Sequence, residues 1–358
     1  MPSHTSSPTA VKTNTPLSVA APRMEQFDRV KTFCMWCVIW GHFILSTRSE
    51  DIFRDPVFTL TGSFHMPLFL CLSGWFSTKT LQLSFSPFLL QQMRRLLLPV
   101  LTWCVLLIVP IALCQTPFRP ERYAHVLLSE YWFLRALFLC FVGTWVCLRL
   151  PRRWMKVAGI VFLLFATYRY YFSFAFAFFL SGLCLRNAGQ LLFGRHVLRT
   201  TLWAGVFFGA LLVFWDGAYT VYMVPGVTWK NLAEAPQAAP CRLWIEIYRY
   251  AIGLVGSVFF MGLGHLVFLR GRAARLLQWM GRYTLGAYIM HIAFFSYTVP
   301  YLFTLDAVPA LLCNWMLLPV AAFLVQLLLA RLQQLLERNR VAGFLLFGRP
   351  LKARQVRQ

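Results

Sequence analysis

Residues 27–47 read FDRVKTFCMWCVIWGHFILST, and this stretch decides the fold class. After a charged start it is apolar enough to lie in lipid, with Lys31 and His42 interrupting it. A helix of about 20 residues crosses the roughly 30 Å hydrocarbon core of a bilayer. An ionisable group within such a span is costly and needs a reason. His42 stands 11 residues after Lys31. At about 100° and 1.5 Å per residue, it returns to within about 20° of the same direction, about 16 Å further along the axis. Asp28 falls within about 40° of that stripe. Asp28, Lys31, Met35, Val38 and His42 thus share one helix face, with charge at one end and a neutral-range base deep in the membrane. Spacing alone leaves two readings of His42. It is either a general base for a hydroxyl or a packed histidine bonded to a backbone carbonyl.

The rest of the chain repeats the apolar pattern. Of 358 residues, 59% are hydrophobic and only 13% charged, where a soluble domain carries about 25% charged. The mean hydropathy is +0.61. The sequence therefore predicts an all-α, polytopic membrane protein of about ten transmembrane helices. Their segments are 30–47, 57–77, 96–114, 131–149, 154–169, 171–186, 200–216, 243–269, 283–305 and 308–330. Only Tyr168, Arg169, Tyr170 and Tyr171 separate the fifth from the sixth, and fusing the two would leave nine. Charge decides between the counts. With ten helices, 25 of the 34 Lys and Arg fall in cytoplasmic segments and 7 outside. Fusion would move every later basic loop outside. The positive-inside rule favours ten helices with both termini cytoplasmic.

Residues 1–24, rich in Ser, Thr, Pro and Ala, read as a disordered tail with no signal-peptide core. Residues 331–358 read as a basic cytoplasmic tail. The longest outer loop, about 217–242, is too short for a catalytic domain. An active site must then sit in the bundle or at its rims. The net charge of +22 is mostly topology. It is spread over six cytoplasmic segments and forms no single basic face for nucleic acid. Of ten cysteines, only Cys241 falls in an outer loop, so no disulfide framework follows. Cys34 and Cys37 have C-x-x-C spacing on a spanning helix, where packing is the simpler reading.

Other constellations stand out against this apolar background. His65 and Ser73 share the second helix, but eight residues place them about 80° apart. That is a poor geometry for a His-activated serine. Gly74 beside Ser73 suits close helix approach. Arg94 and Arg95 enter the third helix before Pro99, as a membrane anchor or as a bidentate phosphate site. The fourth helix opens Glu130-Tyr131-Trp132-Phe133-Leu134-Arg135, which suits a sugar or an aromatic belt. Glu246 and Arg249 are a ready ion pair. Tyr288 and His291 lie on the ninth helix, and His265 near the end of the eighth.

Four of these stretches, taken in order, resemble the acyltransferase family 3 of integral membrane proteins. Asp28 and Lys31 followed by His42 are similar to its opening signature. Phe64-His65-Met66-Pro67-Leu68-Phe69 with Ser73-Gly74 resembles its second helix. Arg94-Arg95-Leu96-Leu97-Leu98-Pro99 resembles its basic entry to the third, and Tyr288-Ile289-Met290-His291 its late Y-x-x-H. The resemblance runs over 25–330, which it implies is one transmembrane acyltransferase domain in stand-alone form. It implies transfer of an acyl group, commonly acetyl, from acetyl-CoA or another acyl-CoA onto a carbohydrate or cell-surface glycan, with no metal. It implies His42 as catalytic base, with Lys31 and Asp28 beside it. Lys31, Arg94 and Arg95 would meet the CoA phosphates. Glu130, Trp132, His65, His291 and Tyr288 would face the acceptor. The family's frequent R-x-x-R is replaced here by Gln92 and Arg95, or Gln91 and Arg94. A multi-pass protein of a bacterial-type inner cell membrane is the implied setting, in contact with membrane lipid. A second class, a transporter or flippase of a glycan or lipid-linked substrate, also fits buried histidines in a helical bundle. It lacks the expected inverted repeat and paired broken helices.

Overall fold

A computed structural model describes residues 24–47, 51–114, 124–127, 129–167, 169–267, 270–297, 305 and 308–351. Of the expected tails, 1–23 and 352–358 lie outside these described residues. Among the described residues all regular structure is helical. The chain runs α1 (Glu25–Thr47), α2 (Pro56–Trp75), a short α3 (Thr78–Leu81), α4 (Phe85–Gln92) and α5 (Leu98–Cys114). It continues through α6 (Trp132–Arg149), α7 (Arg153–Leu164), α8 (Phe172–Asn187), α9 (Val197–Leu212) and a short α10 (Trp229–Glu234). It closes with α11 (Ala239–Leu266), α12 (Gly271–Arg282), α13 (Thr284–Tyr297), α14 (Ala310–Leu312), α15 (Leu318–Leu336) and α16 (Arg340–Phe347).

Each of the ten expected segments carries a helix, and the disputed fifth and sixth are separate. The chain breaks between Leu164 and Phe172, where Tyr170 and Tyr171 adopt left-handed φ of 55° and 53°. Six helical stretches are long and apolar enough to cross a bilayer. The four other segments hold the shorter helices α7, α8, α9 and α13, of 12 to 16 residues.

The outer surface is apolar in stripes. On α15, Val320, Leu324, Leu328, Leu332 and Leu335 are exposed at helical spacing. The opposite face buries Ala322, Gln326, Ala330 and Gln333. Leucines outside and amides inside is the pattern lipid demands, because a polar group facing hydrocarbon finds no partner. Gln326 donates to the Thr32 carbonyl at 3.0 Å, and Trp36 to the Pro319 carbonyl at 2.7 Å, so α1 is tied to α15. Asp55 caps α2 by accepting from Val57 and Phe58 N–H, both at 2.9 Å. Pro56 at the first turn loses no bond there. Asp55 also accepts from Asn314 at 2.6 Å, linking α2 to the turn before α15. Between α2 and α8 the backbones nearly touch. A Cβ on Gly74 would overlap the Phe179 carbonyl, and one on Gly182 the Cys71 carbonyl. The Ser73 hydroxyl donates to the Phe69 carbonyl of its own helix at 2.8 Å.

Among the helices that lie outside the expected spans, two bear on the site. α12 is amphipathic, burying Ala274, Met280 and Gly281 while Arg272, Arg275 and Arg282 stay exposed. It lies along the N-terminal part of α1, where Thr32 donates to the Leu277 carbonyl at 2.6 Å. α15 runs on to Leu336, and α16 follows, capped by Asn339. Trp103 of α5 donates to the Leu346 carbonyl at 3.1 Å. Helical structure therefore continues past residue 330 and packs on the bundle.

Candidate active site

Two cavities meet inside the bundle. The first, of about 480 Å³, is lined by Lys31, Arg94, Arg95, Arg282 and Arg349 among apolar walls. The second, of about 550 Å³, is lined by His42, His65, His291, Glu130, Trp132 and Tyr222. Met66 and Tyr288 belong to the walls of both. Both are buried, and Phe133 backs Tyr288 at a ring separation of 5.3 Å. They form a neck between a basic chamber and a histidine chamber.

The basic chamber is built on an irregular turn. Between α4 and α5, residues Met93–Leu97 form a π-helical turn that carries Arg94 and Arg95. Such turns are frequent at functional sites because they re-aim side chains within a helix. The buried Nε of Arg94 has no hydrogen-bond partner among the described residues. That is an orphaned donor of the kind a phosphate oxygen satisfies. Lys31 reaches the chamber from α1. Buried Asp28 pairs with it at 3.2 Å, and its ammonium lies 4.9 Å over the Phe76 ring. Asp28 does not line either cavity and reaches the basic one only through its pair with Lys31. The helical stripe holds, but its two ends open into different chambers.

The histidine chamber gathers three helices. The His42 ring of α1 lies 4.8 Å from the His291 ring of α13, at 69°, and stacks on Phe295 at 5.5 Å. His65 of α2 donates from Nδ1 to the Thr61 carbonyl at 2.6 Å. His291 Nδ1 likewise bonds the Tyr288 carbonyl. A carbonyl only accepts, so both rings donate from Nδ1, and in the neutral imidazole Nε2 is then the acceptor. Nε2 of His291 is buried and has no partner among the described residues. His65 and His291 are thus oriented acceptors, and His42, half-buried beside them, faces the cavity. Ser73 lines the other chamber, so His65 and Ser73 do not act as a pair.

The rim of the histidine chamber is held under backbone strain. Tyr131, at the start of α6, is fully buried with a left-handed φ of 57°, a conformation costly for a bulky residue. Trp132 packs edge-on to Tyr171 at 4.8 Å, and Tyr171 to Tyr222 at 5.4 Å. Tyr222 lies in the outer loop, and that loop is clamped by Arg249. The guanidinium donates to the carbonyls of Tyr219 at 2.8 Å and Val224 at 3.0 Å, and pairs with Glu246 at 2.6 Å. The Glu246–Arg249 pair is therefore a fastener for the loop. Glu130 lines the chamber 3.7 Å from His125, and its backbone carbonyl accepts from Arg135. His265 is half-buried near the end of α11. Its ring stacks on Phe193 at 5.1 Å and meets Phe27 edge-on.

Spacing did not point to Arg282, Arg349 or Tyr222. The available signal for Arg349 was an Asn339 cap, an apolar run and a closing Gly348. Cys34 and Cys37 are buried, free thiols. Among the described residues, no group of three or more His, Cys, Asp or Glu could hold a metal ion.

The comparisons with known proteins agree with this architecture. Residues 24–331 match a family model described as an acyltransferase domain. Similar proteins include a nodulation protein NolL from Sinorhizobium fredii, 27% identical over 146 residues, covering 38% of this chain and 40% of that protein. Another is a nodulation protein NolL from Mesorhizobium japonicum, 30% identical over 125 residues, covering 32% of this chain and 34% of that protein. The chain thus spans two fifths or less of the length of these curated relatives. No solved structure matches. With the family model covering nearly the whole helical bundle, the chain belongs to the acyltransferase family that this domain defines.

Proposed function

We propose that this protein moves an acyl group, acetyl in the simplest case, from an acyl-CoA to a hydroxyl of a carbohydrate or cell-surface glycan. The observation that carries the reading is the pair of chambers joined at Met66 and Tyr288, one basic and the other lined by histidines. The CoA phosphates lie against Lys31, Arg94 and Arg95 on the cytoplasmic side, and the pantetheine arm extends toward the neck. The acceptor enters the histidine chamber from the opposite face, against Glu130, Trp132, His65 and His291. His42 takes the proton of the acceptor hydroxyl as its oxygen bonds to the acyl carbon. The carbon–sulfur bond breaks, and the proton passes to the departing CoA thiolate. Tyr288 lines both chambers, so it faces the reacting carbonyl from the neck. Asp28 positions Lys31. The protein works as a multi-pass enzyme of the cell membrane.

The test uses purified protein with acetyl-CoA labelled in the acetyl group and a glycan extract. Covalent label on the glycan is expected. Folded His42→Ala should transfer about 10²- to 10⁴-fold more slowly, the usual worth of general base catalysis. Full transfer by His42→Ala rules out the base. Movement of unmodified glycan across vesicles, without label, supports the transporter in place of the enzyme.

A further inference from the structure

The basic chamber contains more positive charge than the family signatures account for, and part of it comes from outside the matched region. The family model ends at residue 331, yet Phe347, Gly348, Arg349 and Pro350 complete the chamber wall. Among the described residues, five cationic side chains line the cavity and no carboxylate does. Like charges gathered around one cavity repel one another, and a polyanion relieves that repulsion.

Arg349 is placed first by backbone and then by side chain. α16 ends in a left-handed cap at Gly348, with φ of 64°. The Gly348 N–H donates to the Phe344 carbonyl at 2.9 Å, and the Arg349 N–H to the Gly343 carbonyl at 3.0 Å. A Cβ on Gly348 would overlap the Arg94 carbonyl. The cap therefore sits directly on the π-helical turn that bears Arg94 and Arg95. The Arg349 Nε then donates to Glu337 at 2.9 Å. Glu337 also accepts from Gln333 at 2.7 Å, and Gln333 lines the same wall. Only one donor of the guanidinium is engaged by Glu337, and the fork has donors to spare for an anion.

We infer that Arg349, with Arg282 of the same chamber lining, completes an anion site for a ligand carrying at least two phosphate groups, closed by α16. The inference rests on the acyl-CoA reading and deepens it, because it assigns donor recognition to a segment beyond the matched family region. Arg349 is a binding residue, and Glu337 positions it.

The experiment measures equilibrium binding of CoA, and of pantetheine as a probe without phosphates, to the full chain in detergent. Arg349→Ala is expected to weaken CoA about tenfold or more, the loss of a charge-assisted bond, and to leave pantetheine unchanged. Arg349→Lys should recover part of the affinity. Arg338→Ala, which removes a nearby charge outside the cavity, should change neither. Melting temperature separates a binding loss from unfolding. Should Arg94→Ala lose CoA while Arg349→Ala binds it like the wild type, the C-terminal assignment falls and the donor reading stands. Failure of the wild type to bind CoA overturns both.

Discussion

The two chambers differ in how they are made. Apart from Lys31 of α1, the basic chamber takes its charges from helix ends and turns: the π-helical turn at Met93–Leu97, the last residue of α12, and the residue after the α16 cap. Its cations remain partly exposed, which lets them keep water until a ligand arrives. The histidine chamber is built from the middles of helices, with His42, His65 and His291 each set into a packed face. The His65 and His291 rings are oriented by carbonyls of their own helices. A ligand's charge can be gathered by a tolerant, open site. Proton transfer needs a fixed one, since misplacement by about 1 Å can cost 10²-fold.

This contrast can be tested by splitting kinetic constants. The largest expected effect is in the histidine chamber. His291→Ala should lower turnover about 100-fold, at the low end for an acid–base group, with CoA affinity unchanged. A change in CoA affinity instead would merge the two chambers into one site. Next comes Arg95→Ala, which should raise the donor KM about tenfold with turnover nearly constant. The affinity that remains should depend less on salt than in the wild type, and an unaltered salt response would show that Arg95 does not meet the anion. Ser73→Ala should have the smallest effect. The Ser73 hydroxyl is spent on its own helix, so the change should cost within about 0.5 kcal/mol of stability and leave transfer near the wild-type rate. Loss of all transfer in a folded Ser73→Ala protein would make the serine a participant in the chemistry.

Much of this arrangement was legible in residue order. The Lys31–His42 stripe needs only helical periodicity, and the separation of α7 from α8 followed from charge counting. Periodicity fixes direction around an axis but not the neighbouring helix. It therefore could not show that Lys31 and His42 open into different cavities. Arg282 and Arg349 are hidden because their segments read as connecting loop and tail. An amphipathic helix of 8 to 12 residues is too short and too basic to register as a span. Tyr222 was hidden in a loop whose position is set by Arg249, 27 residues later. That long-range clamp leaves no local pattern.

The neck at Met66 and Tyr288 has a consequence for the membrane as an electrical barrier. On the proposed reading, in which donor and acceptor enter from opposite faces, the thioether of Met66 and the phenol of Tyr288 stand where the two chambers share a wall. About 2.3 kcal/mol is available to every elementary charge that crosses 100 mV. If the acyl group travels by the proposed route, it passes this point while protons and ions must be refused. Narrowing it slows acyl passage, and widening it short-circuits the cell. Met66→Ala should therefore be recognised first as a conductance in a planar bilayer, before any assay of product.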